Sequence, residues 1–345
     1  MSVPYRPSWL SALTAAVDRL PGPSWAAYLV AALFFVVVGS GLGWIDGSQP
    51  VGAVSPFRVL NDAYVIYPIA VIHYLNVSAG RAMDRFRPSL GDLDAQFNSY
   101  RYRLTTPPRS VVWVATAVGA AYGVTSYLSD PTLFGVTGST AWYTNVWLAG
   151  FTGVSTILFI IYVAVVLRQL IIVVQIHRAS TAVSLYDTES HNAFSRLTLR
   201  GSILLSAPIY LFAFVGFVSG RAWDSISIPD LISIVLMMTA AILLFFLPLL
   251  GIRHRLIEQK AQLTNEVHGH LRSAIASLNG DVEAGVLDRM DGLGKQLNNL
   301  TLERDIVSKL PTWPWSTATL RGLLTSIALP ILVWVVTNLL GRFVF

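Results

Sequence analysis

Asp62 and His73 are two ionisable residues inside residues 59–77, a stretch otherwise apolar enough to enter a lipid bilayer. An ionisable side chain in hydrocarbon is costly, and it is retained where it binds a ligand, relays a proton or pairs with a neighbouring helix. Eleven residues separate the two, about three helical turns, so one unbroken helix carries them near the same face. They are therefore the candidates for a small-molecule ligand or proton site. Each also has a plainer reading. His73 is equally suited to pairing with polar groups on other helices, and Asp62 is expected in interface water at the external end of the span. No other residues combine into a catalytic set. The chain has no cysteine, which removes disulfides, thiolate nucleophiles and thiolate metal sites. His268 and His270 stand two apart and point away from each other on a helix, and neither a nucleophile elbow nor a phosphate-binding glycine loop occurs. No enzyme activity, catalytic residue, cofactor or metal site is expected.

Residues 311–316 read Pro-Thr-Trp-Pro-Trp-Ser. Trp313 and Trp315 suit headgroup depth as interface anchors, and proline starts a helix that it cannot continue, so the segment predicts a fixed elbow before a final span. Beyond it, Thr319, Gly322, Ser326, Pro330, Thr337 and Gly341 recur at intervals of three, four or seven, which places them on one helix face opposite Leu, Ile and Val. Such a face has two uses. Small residues let helices pack closely, which is the commoner use, and a weakly polar stripe lines a water-filled path. Asn338 near the external end and Pro330 at mid-span, where proline frees a carbonyl, favour the path. Thr319, Gly322, Ser326, Pro330 and Thr337 are accordingly the pore-lining candidates.

These residues need a membrane around them. Of 345 residues, 54% are hydrophobic and only 12% charged, against roughly 25% charged in ordinary soluble domains. Apolar runs of about 20 residues, the length that crosses hydrocarbon, occupy residues 25–45, 110–128, 146–176, 202–220, 231–251 and 320–340. Residues 59–77 are a weaker seventh, carrying Asn61, Asp62, Pro68, His73 and Asn76, and read as a span or a re-entrant segment. The arginines decide between these. Arg81, Arg85, Arg87, Arg101, Arg103 and Arg109 crowd the loop that follows, and cytoplasmic loops collect Arg and Lys. If residues 59–77 cross, all 24 Lys and Arg except Arg58, Arg221 and Arg342 fall on the cytoplasmic side. The expected fold is an all-α integral membrane protein of the cell membrane with seven transmembrane helices, N-terminus in and C-terminus out. The net charge of +5 follows from that orientation, so no nucleic-acid partner is expected. No removable signal peptide is expected either.

Three polar stretches lie outside the spans. Residues 1–24 hold Pro4, Pro7, Pro21 and Pro23 around residues 9–19, which read as a short interfacial helix or a loose tail. The fourth span runs without a breaker into Arg168, His177 and Arg178, and the sixth through residues 252–276, so both helices should project past the bilayer. Between residues 252 and 310, Leu256, Leu263, Val267, Leu271, Ile275 and Leu278 recur at helical spacing, followed by Met290, Leu293, Leu297 and Leu300. Gly280 and Gly285 interrupt the pattern, which predicts two helices folded as a hairpin or coiled coil.

Two resemblances bear on function. Residues 266–275, Glu-Val-His-Gly-His-Leu-Arg-Ser-Ala-Ile, are similar to the phosphoacceptor helix of membrane sensor histidine kinases, which implies His268 as the phosphorylated residue. No glycine-rich ATP-binding region follows, so autophosphorylation is not implied and the histidines read as a solvated helix face. The layout as a whole resembles the insect odorant and gustatory receptor type of ligand-gated cation channel: seven spans, long fourth and sixth helices, a cytoplasmic helical insertion and a small polar face on the last span. The family's aromatic and glutamine signature is absent from the last helix, so the resemblance is one of topology. The hairpin joined to residues 311–315 also resembles prokaryotic membrane proteins from which no function is inherited. The channel resemblance implies a homo-oligomeric ion channel of chemoreceptor type, with the last helix lining the pore and an unidentified small-molecule ligand. The alternative is a non-conducting membrane sensor or scaffold whose cytoplasmic hairpin binds a partner.

Overall fold

An uncharged run of 22 residues forms α2, Ser24–Ile45, about 33 Å long at 1.5 Å per residue and thus matched to the hydrocarbon core of a bilayer. The computed structural model describes residues 4–131, 141–180, 185, 188–218, 228–283 and 290–313, and in the last segment residues 315, 317–322, 324, 325, 328 and 332. Ten α-helices are described, and the pairing of Pro7 with Pro108 is an isolated bridge outside them. Among the described residues four helices are long and apolar enough to cross a membrane, or five if the bent pair α3–α4 is one span. That is the make-up of a multi-span membrane protein.

Residues 59–77 do not form one helix. α3, Pro56–Tyr64, and α4, Tyr67–Phe86, meet at a 51° bend. Pro68 accounts for the break, because proline has no N–H and its ring collides with the carbonyl four residues earlier, here that of Tyr64. The expectation that Asp62 and His73 share one helix face therefore fails.

The centre of the bundle is built by α4 and α7, with α8 and α9 against them. α7, Trp142–Ala179, has 38 residues, and α9, Ile228–Glu283, has 56. At about 57 and 84 Å both exceed a bilayer core, as the unbroken sequence pattern predicts. Met83 and Phe86 of α4, Ile161 and Tyr162 of α7, Phe194 of α8, Thr188–Val218, and Ile252 of α9 are fully buried. α2 and α6, Arg109–Ser129, are peripheral and leave most of their apolar surface uncovered. Gly119 on α6 sits so close to α7 that a Cβ there would lie 2.8 Å from the Ile157 Cα.

The N-terminal segment is not a loose tail. α1, Trp9–Val17, is capped by the Ser8 hydroxyl, which accepts from the Ser11 amide at 3.4 Å. Leu10 is buried, while Trp9 and Leu13 stay exposed beside it. Upstream, the Tyr5 hydroxyl donates to the Thr106 carbonyl at 2.6 Å and accepts from Arg168 at 2.6 Å. Burial raises the Tyr5 phenol above its ordinary pKa, with the Arg168 charge opposing it. The loop after α4 is held by two ion pairs, Arg87 to Asp94 at 2.7 Å and Arg101 to Asp84 at 2.8 Å.

α9 and α10, Met290–Lys309, pack together as a hairpin. Lys260 on α9 donates to the carbonyls of Ser308, at 2.6 Å, and Leu310, at 2.8 Å. Those carbonyls have no partner within their own helix, so one ammonium closes α10 and shows that the chain has doubled back. Val267, Ala274 and Val307 are buried along the hairpin, whereas Ile275 is 45% exposed. The small residue beside it takes the inward position that the spacing assigns to Ile275.

Candidate functional site

His73 lies on α4, two turns past the proline break, and α2 crosses it at Tyr28. Its side chain is only 6% exposed and uses both ring nitrogens. Nε2 stands 3.1 Å from an Asp18 carboxylate oxygen, at the C-cap of α1, and Nδ1 stands 2.9 Å from the Tyr28 hydroxyl. A carboxylate only accepts, so Nε2 carries the proton that faces Asp18. In the neutral ring Nδ1 then accepts from Tyr28. The network joins α1, α2 and α4 through a single imidazole. Asp18 is 58% exposed, so the polar chain runs from solvent to a buried ring.

Beside His73 is a cavity of about 470 Å³ between α2, α4 and α8. Trp25, Tyr67, Val71 and Val77 give it apolar and aromatic walls, and His73, Tyr28, Ser78 and Arg81 supply polar groups. The Tyr67 hydroxyl donates to the Leu204 carbonyl of α8, which ties the far wall to α4. Arg200 of α8 donates to Ser78 at 3.4 Å and lies 5.8 Å from the Tyr74 ring centroid. An apolar concavity of this size with a few convergent polar groups is the usual form of a small-molecule site. Deeper in the bundle, Gln169 donates to Asn76 at 2.7 Å and to the Leu104 carbonyl at 3.2 Å.

Asp62 is elsewhere and is not in interface water. It is 0% exposed, and among the described residues neither carboxylate oxygen has a hydrogen-bond donor. Its carboxyl fills the space left by Gly39 on α2, and Arg58, one turn earlier on α3, fills that left by Gly43. Tyr28 and Gly39, the points where α2 meets His73 and Asp62, are eleven residues or about 16 Å apart. The two ionisable residues thus make separate sites at different depths along α2.

Trp313 and Trp315 come together, with ring centroids 4.3 Å apart. Arg253 lies 3.6 Å over the Trp313 ring, and Phe245 and Phe246 contact Trp315. The elbow is thereby fastened to α9. Of the expected pore face, Thr319 is 5% exposed, and a Cβ on Gly322 would meet Leu199 of α8 at 3.4 Å. These two positions pack within the chain. Ser326, Pro330 and Thr337 lie outside the described residues. His268 and His270 are exposed on α9. Among the described residues no three metal-ligating side chains gather.

Tyr28, Asp18 and Ser78 are members of the site that sequence reasoning missed. They are remote in sequence from His73 or polar residues of ordinary type, and no spacing pattern points to them. Gly39 and Gly43 did carry a signal, since two glycines four apart in an apolar helix mark a close approach. Comparisons with protein families, with curated proteins and with solved structures find no match for the chain.

Proposed function

We propose that the chain is a seven-span membrane chemosensor, N-terminus in the cytoplasm and C-terminus outside. In this reading the cavity beside His73 takes a small-molecule ligand and the α9–α10 hairpin binds a cytoplasmic partner. The spans are α2, α3–α4, α6, α7, the apolar parts of α8 and α9, and residues 320–340. The observation that carries the reading is the His73 cavity, a concave site with a buried imidazole fixed on both nitrogens. α9 supports the output arm, because one unbroken helix connects the bundle to the hairpin.

The polar parts of the chain fix the expected sidedness. A reporter active only in the cytoplasm, fused after Phe345, should stay silent, while the same reporter inserted at Gly280 should be active. Activity after Phe345 overturns the seven-span count.

A homo-oligomeric channel lined by the last helix is the second reading. It is favoured by the apolar side chains left uncovered on the hairpin, Ile257 at 41%, Leu302 at 62% and Ile306 at 48% exposed, which offer an assembly surface. Single cysteines at Thr319, Ser326 and Thr337, with Leu323 and Ile331 as controls, separate the two readings without removal of any native thiol. Only a hydrated thiol ionises enough to react fast with a polar alkylating reagent. The sensor reading expects slow reaction at all five. Fast labelling confined to the three small-residue positions, with block of ion flux in liposomes, establishes the channel instead.

A further inference from the structure

α8 carries Asn192, Arg196 and Arg200 four residues apart, on one stripe of the helix. Together with Leu199 they form one wall of a groove of about 540 Å³, and Ala318 and Thr319 at the start of the last helix form the other. Among the described residues no carboxylate lines it. Arg196 donates through Nε to the Asn192 carbonyl of its own helix at 3.2 Å, and Arg200 donates through Nη1 to Ser78. Among the described residues neither guanidinium has a carboxylate partner, in contrast to Arg87 and Arg101. Two positive charges therefore line the groove without a described carboxylate to neutralise them.

The groove lies beside the Trp313–Trp315 elbow, and paired tryptophans beneath an arginine mark headgroup depth. Above it, Leu211 is 45% exposed. It is eleven residues past Arg200, three turns along the same face of α8, so an apolar track rises from the basic groove. Guanidinium forks match phosphate oxygens in geometry as well as charge, and basic clefts between helices at the cytoplasmic face take anionic headgroups.

We propose that the groove between α8 and the start of the last helix is a binding site for the phosphate headgroup of an anionic phospholipid of the cytoplasmic leaflet. Arg196 and Arg200 hold the phosphate, and the acyl chains run along the Leu211 side of α8. The site rests on the bundle lying in a bilayer, and it adjoins the His73 cavity through the Arg200–Ser78 contact. Free phosphate shares the headgroup chemistry but has no use for the apolar track.

The purified full chain in neutral detergent, titrated with phosphatidylglycerol and read by native mass spectrometry, tests this. Retention of phosphatidylglycerol over phosphatidylcholine is expected, with affinity falling about tenfold for each of Arg196→Gln and Arg200→Gln. Arg272→Gln, an equal charge loss on the exposed hairpin, should leave it unchanged. Arg196→Lys with Arg200→Lys keeps the charge and should keep part of the binding, which separates loss of the site from loss of the fold. Equal retention of the two lipids, an equal effect of Arg272→Gln, or full displacement by millimolar inorganic phosphate overturns the assignment.

Discussion

Gly119→Val should cost the bundle several kcal/mol, with Gly39→Ala costing less and Gly43→Ala least. The order follows from what each new Cβ meets. At Gly119 it is the Ile157 Cα, 2.8 Å away, and a backbone atom moves only if α6 and α7 separate. At Gly39 it is the Asp62 carboxyl, whose Cγ would be 2.7 Å distant. That side chain is short and fully buried, so it escapes only by shifting α3, an overpacking of the kind that costs about 1–3 kcal/mol. At Gly43 it is the end of Arg58, a long side chain that can swing aside. Thermal unfolding in detergent, followed through the 10 tryptophans, gives the ranking. Asp62→Ala should remove most of the Gly39→Ala penalty and none of the Gly119→Val penalty, since only the first pair shares a contact. A Gly39→Ala protein as stable in both backgrounds contradicts the α2–α3 packing.

The long apolar runs were legible in the sequence because a membrane helix needs only length and low charge. The overlong α7 and α9 were legible because the helical pattern continues past each apolar run, although Pro248 sits inside α9. The flanking prolines left α1 as one of two readings of residues 9–19, and the Ser8 cap decides for the helix. Pro68 was equally visible, yet its effect depends on whether the bundle bends the chain there or tolerates a kink, and sequence spacing across it misled. Asp62 shows the deeper limit. Its carboxyl fills the space left by Gly39 on another helix, so its environment is a property of α2 and not of the residues around it. His73 was singled out as an ionisable residue in an apolar run, but its partners sit 45 and 55 residues away and are found only when the helices are assembled. At Ile275 the helical spacing was correct to within one residue, and the close approach of α9 and α10 selected Ala274.

Packing also suggests how the cavity reaches the hairpin. α4 holds α8 through Tyr67 and Ser78, and the Gly201 backbone of α8 lies against Leu244 of α9. At the end of the bundle nearest the hairpin, His177 of α7 donates through Nδ1 to the Pro248 carbonyl of α9 at 3.1 Å while packing on Phe86 and Phe194. A change in the spacing of α2, α4 and α8 therefore has a contiguous route to α9, and small shifts at packed interfaces are amplified along long rigid helices.

That coupling is the centre of the account, and a filled cavity tests it without knowledge of the ligand. Ala70 and Val77 line the cavity from α4, so Ala70→Trp or Val77→Trp places a bulky group where a ligand would sit. Ser99 on α5, Phe97–Thr105, and Ser277 on α9 are both exposed, and with no native cysteine they can be spin-labelled as a single pair. Both cavity-filling substitutions should move the Ser99–Ser277 distance distribution by about 2 Å or more, the scale of interhelical shifts in switching proteins. Val124→Trp on the exposed face of α6 should not. Distributions unchanged by Ala70→Trp and Val77→Trp, in proteins that melt like the parent, would contradict a cavity that signals through α9.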